Sequence, residues 1–455
     1  MKTPGGSTRI ESGFSRIAAA LLLLLGTIAH AGPVELVVTN PDDAGAGSLR
    51  AALDAARAEP EQNFRITFGD REGPFSTPQT IVLSAPLPPI EGHVTIDGFI
   101  DQLLWKAYGA TISGNEQHSI FEVMPEATLR LTGVTLRDGF GENGGAIVNH
   151  GRLIVEGVSV FDNRALGQGG AIINFGQAEI INSTFAGNQA EIGGGLANPG
   201  GSMRLVNSTV HDNLADRGAA IWNAAELLLV NSILSGQAPQ QCFNAGALDP
   251  ASTHNLIQGI HRDCGEPLLT GDPEVQKAGY YNGPTPTMPI DGASPALNMG
   301  NPEAARDASG ERLKWDQRGN GDPRFAGGYT DLGAFERQSQ LPDEFVVDTL
   351  EDNGLRGCTR VGTANCPLRA AIELAAAARN PTPVRFKNDL FREATTLVLT
   401  EMPEGSDMPI VIDGEGSAPV NIVTPVDSVP WRAINGVTIE TGGQIGETAT
   451  PGRPR

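Results

Sequence analysis

The segment GGAIVN, residues 144–149, returns as GGAIIN at 169–174, GGGLAN at 193–198 and GAAIWN at 218–223. Each copy ends on an asparagine, and successive copies are 24 or 25 residues apart. A fixed period of this length is typical of repeated units that stack on one another. The stretch from Leu129 to Ser235 therefore decides the fold.

Apolar residues follow the same period and form columns through the repeats. They alternate with polar residues over short runs, which is the periodicity of a β-strand, and residues rich in Gly, Asn and Asp separate the runs. The columns are Leu129, Leu153, Ala178, Met203, Leu227; Leu131, Val155, Ile180, Leu205, Leu229; Val134, Val158, Ser183, Ser208, Ser232; and Leu136, Val160, Phe185, Val210, Leu234. Leucine-rich repeats have a similar period, but their consensus is missing, so a parallel β-coil is favoured.

The recurring asparagines predict a ladder along the coil axis. In a parallel β-coil, equivalent residues lie about 4.8 Å apart, so one side-chain amide can bond the next. We expect this structural ladder at Asn149, Asn174, Asn198 and Asn223; a further column is Asn163, Asn188, Asn213. Over residues 127–235 the chain resembles the right-handed parallel β-helix (pectin-lyase-like) superfamily. The resemblance implies an all-β solenoid.

The N-terminus is typical of a secretory signal peptide. Arg9 and Arg16 precede an apolar run from residue 17 to 25, and Ala29-His30-Ala31 fits a cleavage site. A membrane anchor is the alternative, but the run is too short to span a bilayer. We expect residues 1–31 to be removed and the protein to be secreted or displayed at the cell surface, with no transmembrane segment.

Charge and cysteines limit the partners. The net charge of −21 argues against nucleic acid and anionic membranes. The cysteines form two pairs, Cys242 with Cys264 and Cys358 with Cys366, and neither pair has a C-x-x-C spacing or a histidine partner. Disulfides are therefore favoured over a metal site.

An opening pattern occurs twice. Ser48-Leu49-Arg50-Ala51-Ala52 begins an amphipathic helix with Ser48 as N-cap, which suits a cap over the first coil. Cys366-Pro367-Leu368-Arg369-Ala370 repeats it. Both resemble the C-S-L-R-E-A motif of bacterial β-helix proteins, although each has Ala for Glu and the first lacks the Cys. Flanking strands match as well: Val37 with Val346, Ile66 with Val384, Thr80 with Thr396, and Ile96 with Ile412.

These patterns predict a domain order. Residues 32–340 form a β-helix domain, with regular coils at 127–235 and an irregular end segment at 236–337. Residues 341–455 form the start of a second β-helix unit with a disordered tail. This unit either packs onto the first domain or belongs to a longer protein. The succession Asp316-Gln317-Arg318-Gly319 and Asp331-Leu332-Gly333-Ala334-Phe335-Glu336 resembles the choice-of-anchor β-helix proteins, which implies secretion or surface display and no established reaction.

The candidate catalytic residues are Asp138 and Asp162, which occupy one column on successive coils. Carboxylates about 5 Å apart suit a retaining glycosidase, and clustered oxygens suit Ca²⁺. The alternative is ordinary turns, because Asp138-Gly139 and Asp162-Asn163 are turn dipeptides. The sequence favours turns. We therefore predict no cofactor, with Ca²⁺ as the one candidate.

Other catalytic groups are sparse in the regular coils. Residues 127–235 contain no Lys and no Tyr, and His150 and His211 stand in different columns. Arg137, Arg164 and Arg217 are scattered near turns, and each is interpreted as a solvated surface residue.

Candidate ligand-binding residues are Phe175, Trp222 and Asp212. The two aromatic side chains could stack on a sugar, or simply pack in a groove. Asp316 and Arg318 are interpreted as a structural ion pair. The sequence favours a binding or adhesion protein directed at carbohydrate or a cell-surface partner. The alternative is a polysaccharide lyase or glycoside hydrolase acting on acidic polysaccharide, and a structural spacer is a third hypothesis.

Overall fold

The computed structural model describes residues 32–69, 73–98, 109–292, 294–319, 321–325, 330–337, 345–350, 366–377, 383–399, 402 and 410–441. The predicted signal peptide, Cys358 and the predicted disordered tail beyond 441 lie outside the described residues. From Pro33 onward the described residues belong to one compact unit. Among the described residues, no helix combines the length and the apolar character that a membrane crossing requires.

The first elements are strands of irregular spacing and one α-helix. In chain order they are β1 Val34–Val38, α1 Leu49–Ala58, β2 Asn63–Phe68, a 3-10 helix Pro74–Ser76, β3 Thr80–Val82, β4 His93–Asp97, β5 Thr111–Ser113 and β6 Phe121–Val123.

The regular coils and the strands that end them follow. They are β7 Thr128–Thr132, β8 Thr135–Arg137, β9 Phe140–Gly141, β10 Ile147–Asn149, β11 Arg152–Glu156, β12 Ser159–Phe161, β13 Arg164–Ala165, β14 Ile172–Asn174, β15 Gln177–Ile181, β16 Thr184–Ala186, β17 Leu196–Asn198, β18 Ser202–Val206, β19 Thr209–His211, β20 Ile221–Asn223, β21 Glu226–Val230, β22 Ile233–Ser235, β23 Gln240–Asn244, β24 Ala247–Leu248, β25 Leu256–Ile257 and β26 Ile260–Arg262.

These strands form three long sheets in which every pairing between neighbouring strands is parallel. Sheet A has the order β1-β2-β4-β7-β11-β15-β18-β21-β24, sheet B β25-β22-β19-β16-β12-β8-β5-β3, and sheet C β26-β23-β20-β17-β14-β10-β6. Each turn of the chain passes once through A, then B, then C before it returns to A, and we call one such turn a coil. The topology is consistent with a parallel β-solenoid.

The predicted columns are in register and point into the core. Leu153 pairs with Leu129 on one side and with Ala178 on the other, and all three are buried. The same holds on sheet B, where Val160 lies between Leu136 and Phe185. Apolar side chains therefore stack one coil above another and fill the space between the sheets.

The predicted asparagines lie in a continuous chain of hydrogen bonds. Asn149 Nδ2 donates to Asn174 Oδ1 at 2.6 Å, Asn174 to Asn198 at 2.8 Å and Asn198 to Asn223 at 2.6 Å. A fifth member, Asn244, accepts from Asn223 at 2.6 Å. The sequence pattern missed it because the spacing shortens there to 21 residues. These side chains are buried, so the amides replace water as partners.

A second ladder lies at the exit of sheet B. Asn163 Nδ2 donates to Asn188 Oδ1 at 2.9 Å, and Asn188 donates to Asn213 at 2.8 Å. Each amide oxygen also accepts a backbone N–H of the preceding coil; Asn163 Oδ1, for example, accepts from Gly139 at 2.8 Å. The buried backbone at this corner is therefore satisfied by side chains rather than by a sheet.

Helix α1 closes the first end of the core. Ser48 Oγ accepts from the N–H of Ala51, as the N-cap prediction required, and Leu49 and Leu53 are buried against the first coil. Arg50 donates to the carbonyls of Ala85 and Pro86. The Leu of the Ser-Leu-Arg sequence thus covers the core, and the Arg ties the cap to the loop below it.

A disulfide lies at the other end of the coils. Cys242 and Cys264 are bonded and buried, and Cys242 occupies the inward column of sheet C next to Ile221. The predicted pairing is confirmed. Cys366 is also disulfide-bonded, and its predicted partner lies outside the described residues.

The end segment folds back over the outer face of sheet B. Ser159, Thr184 and Thr209 point outward from that sheet, yet all three are buried. Gln317 Nε2 donates to Ser159 Oγ at 2.8 Å, and the N–H of Ala334 donates to Thr209 Oγ1 at 3.0 Å. The middle of sheet B is therefore covered on both sides, whereas Val82 and Arg137 of the same sheet are exposed.

The C-terminal residues repeat the opening of the chain. Their elements are β27 Phe345–Val347, α2 Leu368–Ala377, β28 Val384–Phe386, β29 Thr395–Val398, β30 Val411–Asp413, β31 Val420–Val423, β32 Arg432–Ile434 and β33 Val437–Glu440. Another 3-10 helix, Pro302–Ala304, precedes them in the end segment.

The repetition extends to strand register. Val384 pairs with Ile412 as Ile66 pairs with Ile96, which are the equivalents that the sequence predicted. Residues of this second unit, such as Val384, share one buried apolar cluster with Ile181, Val206 and Val230 on the outer face of sheet A. The unit and the coils therefore have a common apolar core.

Replacing Asn198 by alanine tests the ladder. The substitution removes the bonds to Asn174, Asn223 and the carbonyl of Glu226. Because these groups are buried, we expect the free energy of unfolding to fall by about 2–3 kcal/mol. Urea unfolding measures the change. The control is Gln177→Ala, an exposed side chain on sheet A, which should change stability by less than about 0.5 kcal/mol; equal effects of the two substitutions would contradict the ladder.

Candidate functional site

The three sheets differ in what their outer faces offer a ligand. Sheet B is covered by the end segment. Sheet A carries charges that are paired with one another: Arg130 with Glu156, and Glu179 with both Arg152 and Arg204. Sheet C carries a different kind of surface, made of apolar and aromatic side chains.

One outward column runs the length of sheet C. By strand register it consists of Glu122, Val148, Ile173, Ala197, Trp222, Phe243 and Arg262, and of these Ile173 and Ala197 are buried. Trp222 and Phe243 are half-buried, and Arg262 is exposed with its guanidinium carbon 5.1 Å from the Phe243 ring centroid. We call Trp222, Phe243 and Arg262 the sheet C platform. Aromatic faces next to a guanidinium can stack on flat or ring-shaped ligands and donate hydrogen bonds to them.

The loop that enters sheet C is held close to this column by glycines. Gly144, Gly169, Gly193 and Gly218 have φ values of 63°, 68°, 66° and 62°, in the left-handed region that glycine tolerates best. A Cβ at Gly193 would also lie 3.0 Å from the Ala197 Cβ. The repeated glycines of the GGAIVN pattern thus bring the loop against one edge of the surface.

Phe175 does not join Trp222. It follows Asn174 at the corner between sheets C and A, where its exposed ring lies parallel to that of His150 with the centroids 5.0 Å apart. Trp222 lies two coils away on the sheet itself. The structure thus places the two aromatic residues that were candidates for ligand binding on different surfaces. Trp222 has Phe243 as its aromatic neighbour in the column.

The aspartate column lies at left-handed turns. Asp138, Asp162 and Asp212 have φ values of 52°, 56° and 49°, and Gly187 fills the same position with 69°. Asp, Asn and Gly are the residues that adopt this conformation at least cost. The left-handed backbone conformation therefore accounts for the residue types in this column.

Arg137 links the two candidate acids. Its Nε donates to Asp138 Oδ2 at 2.9 Å, and its Nη2 lies 3.3 Å from Asp162 Oδ2. Asp138 Oδ2 also accepts from Ser113 Oγ at 3.2 Å. Burial raises the pKa of Asp162, while the Arg137 charge opposes that rise. Arg137 is exposed, as the sequence predicted for a solvated surface residue, and its guanidinium in addition bridges these carboxylates.

Asp212 has other partners. Its Oδ1 accepts from the N–H of Gln237 at 3.1 Å, and its Oδ2 lies 3.2 Å from His211 Nε2. The opposite ring nitrogen of His211 lies 2.8 Å from Ser235 Oγ. This resembles a Ser-His-Asp arrangement, but Ser235 is fully buried and its hydroxyl has no access to a substrate. Burial lowers the pKa of His211, against the pull of Asp212. Ser235 lies 24 residues after His211, so the repeat aligns the two residues, but it does not show that their side chains make contact.

Asp316 and Arg318 form a buried pair. Arg318 Nε donates to Asp316 Oδ2 at 2.9 Å, its Nη1 lies 2.9 Å from Asp322 Oδ1, and its guanidinium lies 3.9 Å from the Phe335 ring centroid. These contacts hold the end segment together. Within the described ranges, no group of three or more His, Cys, Asp or Glu side chains is placed to hold a metal ion.

Comparison of this chain with protein-family models, with curated proteins and with solved structures gives no significant match. The function therefore has to be argued from the residues and their geometry.

A double substitution tests the turn interpretation of the acidic column. Because asparagine also adopts left-handed φ, Asp138→Asn with Asp162→Asn should keep the fold and change the free energy of unfolding by less than about 1 kcal/mol. Thermal melting followed by circular dichroism measures this. Asp138→Val with Asp162→Val is the matched contrast, since branched side chains resist that conformation, and it should destabilise by about 2 kcal/mol or more. Equal melting temperatures for the two variants would contradict the interpretation.

Proposed function

We propose that the protein is a secreted or surface-displayed right-handed parallel β-helix of the pectin-lyase-like, C-S-L-R-E-A and choice-of-anchor kind, which binds a glycan or another cell-surface partner. The observation that carries the proposal is the sheet C platform. It places two aromatic side chains and one exposed guanidinium on the sheet face that the end segment leaves open.

The fold and the disulfide support a β-helix that is located outside the cell. Long parallel sheets with few helices agree with a β-helix, and the paired Cys242 and Cys264 are compatible with an oxidising, extracellular environment. Helices α1 and α2, which both begin with Leu-Arg, each follow the first strand of a unit. This is the position that the resemblance to the C-S-L-R-E-A proteins implies.

The turn conformation of the candidate acids supports binding rather than catalysis. Arg137 contacts both Asp138 and Asp162, and its charge opposes the rise in the pKa of Asp162 that burial causes. The strand-end turns, in addition, require residues of the Asp, Asn or Gly type. The column is thus explained without a reaction.

The same contact is the observation that favours the second candidate function, a polysaccharide lyase or glycoside hydrolase acting on acidic polysaccharide. Two carboxylates on successive coils with an arginine between them bring acid and cation together at one point of the surface. A uronate could pair with that cation.

Binding to the sheet C platform is tested with Trp222→Ala and Phe243→Ala. Each substitution removes one stacking surface, and we expect each to weaken glycan binding about tenfold, equivalent to about 1.4 kcal/mol. Affinity is measured by calorimetry against the glycan that binds the unaltered protein best in an array. Leu166→Ala is the control, because Leu166 is equally apolar and 50% exposed but lies outside sheet C; its affinity should not change. If neither aromatic substitution weakens binding while both proteins stay folded, the platform is not the site.

Catalysis is tested in parallel on a panel of acidic polysaccharides, with and without Ca²⁺, by absorbance of unsaturated uronates and by reducing ends. We expect no turnover. Turnover that disappears in Asp138→Asn with Asp162→Asn would establish the enzyme and overturn the binding proposal.

A further inference from the structure

Residues 313–319, 321–325 and 330–337 bury several charged side chains. Asp316, Asp322, Asp331 and Glu336 are buried together with Arg318 and Arg324. Among these described side chains, four carboxyls face two guanidiniums, so complete ionisation would give the cluster an excess of negative charge. Buried ions without partners are expensive, and buried carboxyls respond by keeping their protons.

Glu336 is the least compensated of these carboxyls. Its Oε2 accepts from the N–H of Asp331 at 2.8 Å and from Thr330 Oγ1 at 3.2 Å, and Arg324 Nη1 lies 3.5 Å away. Its Oε1 is buried and has no hydrogen-bond partner in the protein. Burial, reinforced by the Asp331 charge, raises the pKa of Glu336 well above its ordinary value.

Arg324 cannot compensate Glu336 fully, because it serves neutral acceptors. Its Nη2 donates to Asn182 Oδ1 and to the carbonyl of Ala334, both at 2.6 Å, and its Nη1 donates to the carbonyl of Gly333 at 3.0 Å. Asn182 belongs to the corner between sheets A and B. Arg324 therefore fastens the end segment to the coils.

Asp331 is the second carboxyl whose ionised form is poorly stabilised. Its two oxygens accept from the N–H groups of Asn298 and Arg337, each at 2.7 Å. Burial raises the pKa of Asp331 to about 6, against these bonds and the Arg324 charge. Asp316 adds repulsion to both Asp331 and Glu336, although it is itself paired with Arg318.

The surroundings contribute mainly neutral groups. The coils under this segment present Asn182, Thr184, Asn207 and Thr209 to it, as amides and hydroxyls. The Arg337 guanidinium donates a hydrogen bond to the carbonyl of Ile290. On the described part of these coils, no titratable side chain acts on Asp331 or Glu336.

We propose that residues 313–319, 321–325 and 330–337 form a proton-controlled latch over sheet B, held closed while Glu336 and Asp331 carry protons and loosened when these carboxyls ionise. Opening would expose the hydroxyls of Thr184 and Thr209 on the outer face of sheet B. The cover over this part of the sheet would then respond to the acidity of the surroundings.

The direction of the pH effect follows from the linkage between protonation of these carboxyls and opening of the latch. Both carboxyls have a higher pKa in the closed latch than in an opened chain, where about 4 is normal. Their stabilising contribution is complete below about pH 4 and is lost as the pH rises, through about 6 for Asp331 and further for Glu336. Each proton lost changes the opening equilibrium up to tenfold per pH unit within its window. The latch is thus tighter in acid, the reverse of the usual acid weakening of proteins with paired carboxylates.

Hydrogen exchange of the whole protein, read by mass spectrometry at pH 5, 6, 7 and 8 and corrected for intrinsic exchange rates, tests the latch. The N–H groups of Gly333 and Ala334, which bond to the coils, report on opening. We expect opening to increase at least about tenfold from pH 5 to 7, since Asp331 alone accounts for that factor. Peptides of sheet A strands should not follow this trend. A latch that opens in parallel with those strands at every pH would overturn the proposal.

Two variants that replace a carboxyl by an amide, together with one control, show whether Glu336 and Asp331 cause the pH response. Glu336→Gln and Asp331→Asn each remove one titration, so each should flatten the pH response, Asp331→Asn by about tenfold between pH 5 and 7. Glu311→Gln, which changes an exposed carboxyl just before the latch, should keep the full response. If Glu336→Gln does not fold, the Asp331→Asn variant and the unaltered protein still decide the question. A full response in both Asp331→Asn and Glu336→Gln would overturn the proposal.

Discussion

Stacking of buried amides between successive coils is the interaction on which the rest of the structure depends. Each asparagine of the first ladder is buried and bonds to its equivalent in the neighbouring coil, from Asn149 through to Asn244. A strand of sheet C that slipped by one residue against its neighbour would leave a buried amide without a partner, at a cost of about 1–3 kcal/mol. The amides therefore hold the strands of sheet C in one register, and the apolar columns stack in the same register.

That register also decides which residues can occupy the corners. Between sheets A and B, and again at the end of sheet B, the backbone turns with positive φ in every regular coil, at Gly157, Asn182, Asp162 and Gly187 among others. These corners accept few residue types, so a column of aspartates can arise with no ligand or reaction behind it. In a solenoid, alignment of like residues is thus a weak sign of a site unless a further partner joins them.

Coverage of the outer faces is what distinguishes the three sheets functionally. The end segment uses Gln317, Arg324 and the backbone of Gly333 and Ala334 to bond to the outside of sheet B. The second unit shares an apolar cluster with the outside of sheet A. Sheet C keeps Trp222 and Phe243 within reach of solvent. The binding proposal and the latch therefore concern different faces of the same coils, and each can hold without the other.

The sequence by itself determined the coil period, the inward columns, the capping role of the Ser48 helix, the Cys242–Cys264 pairing and the positions where asparagines recur. All of these follow from periodicity and local backbone preference, which can be read along one chain. Only the tertiary structure decided that Arg137 joins Asp138 to Asp162, that Phe243 rather than Phe175 accompanies Trp222, and that Arg324 and Glu336 are buried against sheet B. Arg137 and Asp162 lie one period of 25 positions apart, so repetition aligns them, but only the folded structure shows that their side chains meet. The contacts of Arg324 follow no period; Asn182 and Arg324, for example, are 142 positions apart. The path of the end segment, which is set by packing and not by repetition, determines these contacts.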